Sequence, residues 1–170
     1  AYNGGNMKIT YEISKRENGA ANKTIETKLI SPEGSVVATK TTQVSLSEWE
    51  ETQTIDVLFS NLSNLQTWSS EKPHLYTGEE EMVFSTKYGF RKVEITGGVV
   101  LINGERVYFK GVNTQDTHPL YGRSIDVATM LEDIELMKQG NVNMVRTSHY
   151  PRQAKMYAMF DYYGIYVMDE

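Results

Sequence analysis

Between residues 107 and 168 the chain alternates apolar runs with amphipathic segments in the order strand, helix, strand, helix, strand, and few folds satisfy that order. Residues 107–112 read as a buried strand. From 127 to 137, apolar residues fall at 127, 130, 131, 134 and 137, one stripe of a 3.6-residue helix. Asp126 stands where an N-cap is needed and Gly140 just past the end. Met144-Val145 makes a short second strand. Pro151 is predicted to open a second helix, with Met156, Met159, Phe160 and Tyr163 on one face and Gly164 as its stop. Residues 165–168 form the third strand. Strands joined through helices pair in parallel with right-handed crossovers. Three such strands leave an open edge of unpaired backbone groups. The chain ends at Asp169-Glu170, at the mouth of the third strand, so a fragment of a longer protein is expected.

The preceding residues follow a different period. Met7, Ile9, Tyr11 and Ile13 alternate with polar neighbours, as do Ile55, Val57 and Phe59. Further strands are predicted over 24–30, 36–44, 82–84 and 90–95, with turns at Asn18-Gly19 and at Pro32-Glu33-Gly34-Ser35. Asn103-Gly104 is a hairpin signal between 99–102 and 107–112. Short strands at roughly ten-residue spacing, without helical period, predict a small antiparallel sandwich. The expected organisation is therefore a small all-β sandwich over residues 1–95 and the N-terminal part of a truncated TIM barrel over 96–170. Trp68 and Tyr76 are read as packing residues, with a sugar-stacking platform as the alternative.

Composition removes several functions. There is no cysteine, which excludes disulfides, thiolate zinc sites and cysteine nucleophiles. The formal net charge is −5, and Arg146, Arg152 and Lys155 are too few and too spread to track a phosphate backbone, so no nucleic-acid partner is expected. No run approaches the ~20 apolar residues of a membrane span, so no membrane is expected either. Cytoplasm and periplasm both stay open.

Polar residues gather just past the three strands: Asn113, Gln115, Asp116 and His118, then Arg146, Ser148 and His149, then Asp169 and Glu170. In a parallel barrel these strand ends face one mouth, where such folds place their active sites. Glycoside hydrolysis needs paired carboxylates, groups that bind hydroxyls, and cations that orient the carboxylates. A Ser148–His149 dyad is disfavoured, because neighbours on an extended strand point to opposite sides. His118, His149, Asp116 and Glu170 are spaced too irregularly for a metal site, and none is assigned. Arg146 has a structural alternative, pairing with a carboxylate buried inside the barrel.

The segments Trp68-Ser69-Ser70-Glu71-Lys72-Pro73-His74-Leu75-Tyr76, Gly89-Phe90-Arg91-Lys92-Val93, Lys110-Gly111-Val112-Asn113, Asn143-Met144-Val145-Arg146-Thr147-Ser148-His149-Tyr150-Pro151 and Asp161-Tyr162-Tyr163-Gly164-Ile165-Tyr166-Val167-Met168-Asp169-Glu170 carry a resemblance. Together with Ile102-Asn103-Gly104 and Asp133-Ile134-Glu135-Leu136-Met137-Lys138, they make the chain similar to family 2 glycoside hydrolases of the bacterial β-galactosidase kind. The resemblance implies a central immunoglobulin-like sandwich, a catalytic (β/α)8 barrel and retaining hydrolysis through a covalent glycosyl-enzyme. His149 looks like the histidine that contacts substrate, and Arg146 like the arginine that orients the nucleophilic carboxylate. Asp169 and Glu170 match supporting carboxylates. The family's acid/base and nucleophilic glutamates lie beyond Glu170, as does its usual magnesium site. No catalytic residue and no cofactor are therefore expected within this chain, which by itself is expected to be inactive.

Gln115 stands where the galactosidase pattern usually has histidine, which opens the identity of the sugar. The passage from Tyr76 through Gly78 to Met82 is shorter than the family's hairpin, and the first sandwich strand is expected before Ala1. The implied partners are a β-galactoside or related oligosaccharide and the remainder of the same polypeptide, with a homo-oligomer left open. A β-glucuronidase of the same family shares the Arg-Thr-Ser-His-Tyr-Pro segment, and a non-catalytic carbohydrate-binding or structural module is the alternative from another class.

Overall fold

A computed structural model describes residues 4–15, 19–49, 51–80 and 85–170. The chain divides into two compact units, Asn3–Gln66 with Tyr76–Tyr88, and Thr67–Leu75 with Gly89–Glu170.

In the first unit the alternating sequence becomes two antiparallel sheets. Strand β1 (Gly5–Ser14) pairs with β4 (Thr52–Leu62), with Ile9 opposite Val57 and Tyr11 opposite Ile55. The second sheet runs β3 (Val36–Leu46), β2 (Ala21–Ile30), β5 (Tyr76–Glu80), β6 (Ser85–Tyr88). The β1 odd positions point inward because successive side chains take opposite faces. Met7 is buried there with Val57, Phe59, Leu29, Val44, Leu46 and Tyr76. The Tyr11 hydroxyl and Thr27 Oγ1, 3.1 Å apart, join the two sheets through a polar contact. β5 and β6 form an antiparallel hairpin, with Glu79 opposite Ser85. The expected strand over 82–84 and Asn18 of the expected turn lie outside the described residues.

The second unit begins its regular structure with a three-stranded meander, β7 (Val93–Thr96), β8 (Val99–Ile102) and β9 (Glu105–Arg106). Both of its connections are two-residue turns with positive φ at each position, Gly97-Gly98 and Asn103-Gly104, the geometry that twisted hairpins favour. The parallel sheet follows: β10 (Gly111–Asn113), β11 (Met144–Arg146) and β12 (Tyr166–Met168), in that spatial order and in register. Helix α1 (Val127–Gln139) crosses from β10 to β11, and α2 (Ala154–Tyr163) from β11 to β12. Ile125, Met130, Ile134, Val145, Met156, Phe160 and Ile165 form the core between helices and sheet.

Four expectations need correction. Residues 107–110 do not extend β10, because the buried Asn143 side chain takes their backbone groups. It accepts from the Lys110 N–H (2.8 Å) and donates to the Tyr108 carbonyl (2.9 Å). Residues 90–92 precede β7 rather than join it, since the Phe90 carbonyl accepts from the Trp68 N–H and the Lys92 backbone is held by Asn103. Pro151 does not open α2. The Arg152 N–H donates to the Tyr157 hydroxyl (2.9 Å), the chain stays extended, and Gln153 is the cap. Val127 is exposed at the first turn of α1 instead of continuing its buried stripe.

The helix ends follow local chemistry. Asp126 accepts from the Thr129 N–H at 2.9 Å, satisfying an otherwise orphan donor. Gly164 ends α2 in the left-handed region (φ 72°), and a Cβ there would lie 2.5 Å from the Ser70 carbonyl oxygen. Trp68 is packing, not a platform: it is buried, sends Nε1–H to the Asp161 carbonyl at 2.9 Å, and meets Tyr166 edge to face. Tyr76 is buried too, in the sandwich unit, and its hydroxyl accepts from the Gln66 N–H. No described helix is long and apolar enough to cross a membrane.

Candidate active site at the ends of the parallel strands

β10, β11 and β12 end at Asn113, Arg146 and Met168, so the residues that follow emerge at one edge of the sheet. There Arg146 is the hub. Its Nη2 lies 2.6 Å from Glu170 Oε2, and its Nη1 donates to Asn113 Oδ1 at 3.4 Å. His149 Nδ1 is 3.2 Å from the same Glu170 oxygen and 3.5 Å from Arg146 Nη2. A guanidinium has no acceptor, so the imidazole nitrogen between them cannot donate to both. Donation from Nδ1–H to the carboxylate is the stronger, charge-assisted bond, and in the neutral ring it leaves Nε2 as an acceptor. Asn113, Arg146, His149 and Glu170 thus form one cluster of guanidinium, carboxylate, amide and imidazole, partly open to solvent.

Asp169 faces a different set. Its Oδ1 accepts from the Tyr157 hydroxyl and from Thr147 Oγ1 (2.8 Å). These two hydrogen bonds, Tyr157 first, hold its carboxyl below the ordinary carboxylate value. Burial, and then the same bond to Asp169, push the Tyr157 phenol above its usual value. The wholly buried Thr147 closes the arrangement, its Oγ1 accepting from the Glu170 N–H at 3.0 Å.

The remaining expected residues stand apart from the Arg146 cluster. Asp116 is buried and ion-paired with Arg152, its Oδ1 3.2 Å from Nε. His118 closes a small loop: its backbone pairs with Gly122, its Nδ1 accepts from the Leu120 and Tyr121 N–H groups, and its ring stacks on Tyr121 at 4.6 Å. Gln115 is exposed beside them. Ser148 Oγ donates to the Thr114 carbonyl at 3.1 Å rather than to His149, and the Ser148–His149 peptide is cis.

Three residues escaped sequence reasoning: Arg152, Thr147 and Tyr157. Arg152 and Thr147 sit among residues already singled out, and their burial is what gives them weight. Tyr157 carried no signal, being one aromatic among many on a helix. Among the described residues, no three His, Asp or Glu side chains gather into a metal site.

A β-sandwich unit and a unit carrying the opening strands of a parallel barrel, with a polar cluster at the strand ends, define a class of modular sandwich-and-barrel proteins. Comparison with known proteins narrows it: residues 1–91 match the family described as glycosyl hydrolases family 2, and residues 93–170 match its TIM barrel domain. The chain belongs to glycosyl hydrolases family 2, as a sandwich domain followed by the start of the barrel. It is 47% identical over 112 residues to a β-galactosidase of Pectobacterium atrosepticum, an alignment covering 61% of this chain and 11% of that enzyme. Among solved structures, Bacteroides uniformis β-glucuronidase 2, covalently bound to cyclophellitol-6-carboxylate aziridine, superposes with a TM-score of 0.87 at 21% identity. That match covers 98% of this chain and 21% of that one. Bifidobacterium dentium β-glucuronidase, complexed with coumarin-3-O-glucuronide, gives 0.76 at 27% identity, covering 97% of this chain and 27% of that one. The chain therefore spans about a tenth of the curated relative, and between a fifth and a third of these two structures.

Proposed function

We propose that this chain is the sandwich and opening barrel segment of a retaining β-galactosidase, and that Arg146, His149 and Glu170 form part of its sugar site. The observation that carries the reading is the Arg146–Glu170–His149 cluster at the strand ends. Its setting supports the sugar assignment, since the identity to a β-galactosidase is 47%. In this reading Arg146 supplies a fixed positive charge that orients nearby carboxylates, and His149 offers Nε2 to a sugar hydroxyl. Asn113 and Gln115 offer amides to the remaining hydroxyls.

A β-glucuronidase is the second reading, favoured by the fold likeness to two such enzymes. It needs a free cation for the sugar carboxylate. Both terminal nitrogens of Arg146 are engaged, by Glu170 and by Asn113, so in that reading the recognising cation belongs to the remainder of the enzyme.

Alone, the chain is proposed to be inactive. Its strand-end carboxylates are each engaged by neighbours: Asp169 by two hydroxyl donors, Glu170 by Arg146, Asp116 by Arg152. None of them makes up the facing carboxyl pair that glycoside cleavage needs. The acid/base and nucleophile, and any magnesium, belong in this reading to the full-length enzyme.

The test is kinetic. In the enzyme containing this sequence, an aryl β-galactoside should outperform the matching β-glucuronide in kcat/KM. Arg146→Ala and His149→Ala should each lower that value roughly 10²–10³-fold, the scale of losing one oriented electrostatic contact. A glucuronide preference would overturn the sugar assignment. Turnover by this chain alone, abolished by the same substitutions, would overturn the proposed inactivity.

A further inference from the structure

Arg152 is buried with no exposure of its side chain, yet it touches none of the groups in the Arg146–Glu170–His149 cluster. What it touches is main chain. Its Nη2 donates to the Thr114 carbonyl and lies 3.3 Å from the Ser148 carbonyl, and its Nη1 donates to the Tyr150 carbonyl at 3.2 Å. Thr114 follows β10, while Ser148 and Tyr150 follow β11. Asp116 supplies the opposite charge 3.2 Å from Nε, and the Tyr150 ring lies 4.5 Å from the guanidinium carbon. A rigid planar fork fixes three carbonyls in one arrangement of the two segments, whereas an ammonium with three rotatable donors on a flexible stem leaves that arrangement loose.

The third strand is tied in through the same residue. The Arg152 N–H donates to the Tyr157 hydroxyl, which donates to Asp169 Oδ1. That oxygen also accepts from Thr147 Oγ1, the acceptor for the Glu170 N–H. One residue thus reaches the segments beyond all three strands, while the polar cluster rides on them.

We infer that Arg152 is a positioning residue: it fixes the segments after β10 and β11 so that His149 Nδ1 meets Glu170 beside Arg146. The use of that cluster on a sugar rests on the proposed function, whereas the positioning itself does not.

The experiment uses the chain labelled with ¹⁵N-histidine, and long-range ¹H–¹⁵N spectra at about pH 8.5, above the ordinary imidazole range. His149 should show the Nδ1–H tautomer. His118, whose Nδ1 accepts two N–H groups, should show the opposite tautomer and serve as internal reference. In Arg152→Lys, which keeps the charge but not the fork, His149 should lose its single tautomer and average between the two, with His118 unmoved. Thermal melts alongside report whether the variant folds. If it does not, Arg152→Met combined with Asp116→Met replaces the buried pair by apolar groups, which often preserves stability, and the same loss is expected. Should that variant also unfold, Tyr157→Phe cuts the link to Asp169 and should move His149 in the same direction. A folded variant in which His149 keeps its Nδ1–H tautomer overturns the inference, as does an Nε2–H tautomer in the unsubstituted chain. The spectrum reads geometry and not turnover, so an enzyme that fails on galactosides leaves this outcome unchanged.

Discussion

β1 and β4 run for 10 and 11 residues with one side chain in two turned inward, whereas β10, β11 and β12 contribute three residues each. The long strands spread their stability along ladders: β2 and β3 alone match ten residue pairs. The three-residue strands cannot, and their unit leans on the side chains that α1 and α2 press onto the sheet. The candidate site follows the same division. A strand that ends after three residues delivers its next residues to an edge, and Asn113, Arg146, His149 and Glu170 are delivered there.

This contrast is broken most easily in the two cores. Phe160 on α2 and Leu29 on β2 are both almost completely buried. Phe160→Ala should cost about 3–5 kcal/mol and Leu29→Ala about 2–5. Phe160→Ala should be the worse of the two in chemical denaturation, because three-residue strands share less of its load than the long ladders beside Leu29. An equal or larger loss at Leu29 would mean that the sandwich is no more distributed than the barrel segment.

Gly164 sharpens the picture within the barrel segment. An alanine there must adopt the left-handed region and must also move the Ser70 carbonyl, 2.5 Å from the new Cβ. The left-handed conformation alone costs about 1–3 kcal/mol for a non-glycine residue. Gly164→Ala should therefore lower the melting temperature clearly, and Gly34→Ala should lower it less, since nothing lies within 4 Å of a Cβ on that turn. Equal losses would show that backbone conformation decides and the contact with Ser70 does not.

How much was legible in the sequence follows the same division. Met7 to Ile13 and Ile55 to Phe59 announced their strands, because a period of two over several residues has one physical cause. The stripe of α1 was legible apart from Val127, whose place in the first turn leaves it without a neighbour to cover it. The glycine pair at 97 and 98 is a hairpin signal as plain as Asn103-Gly104. What no periodicity encodes is where buried polar groups spend their hydrogen bonds. Asn143 cut short the predicted strand over 107–112, and the Arg152 amide kept Pro151 out of α2. The strand-end residues were identifiable by type and position. That Asp116 turns to Arg152 while Glu170 turns to Arg146 depends on contacts across more than twenty residues of sequence.

Acid should act on the strand ends through Asp169. Its ordinary value is 3.8, and its folded value lies lower, because Tyr157 and Thr147 hydrogen-bond the charged form. The stability it contributes is complete above the ordinary value and is lost as pH falls through the folded one. Burial raises Asp161 and Asp133 instead, so their contribution runs the other way, complete below the ordinary value and lost as pH rises. Tyr157→Phe should move the Asp169 titration, read by carboxyl NMR, upward toward its ordinary value. A carboxyl that titrates at an unchanged pH would assign the shift to Thr147, the Glu170 N–H and the Arg152 charge.

The smallest effect is expected where the sandwich faces solvent. Asp56 lies between Lys8 Nζ (3.0 Å) and Thr10 Oγ1 (2.6 Å) on the outer face of the β1–β4 sheet. Its carboxyl, like that of Asp169, is held below the ordinary value, by the Thr10 hydroxyl first and Lys8 next. The resemblance ends there, for both members of the Lys8–Asp56 pair are more than half exposed, whereas the Arg152 side chain is fully enclosed. Water can replace what Asp56 loses, and such surface pairs commonly contribute almost nothing. Asp56→Ala should therefore leave the melting temperature within error at neutral pH. Asp116→Ala strands a buried guanidinium and should lower it by several degrees or more. A comparable loss in the two variants would mean that the outer face of the sandwich is not the solvated surface its alternation implies, and that an occupant of that face contributes to the fold.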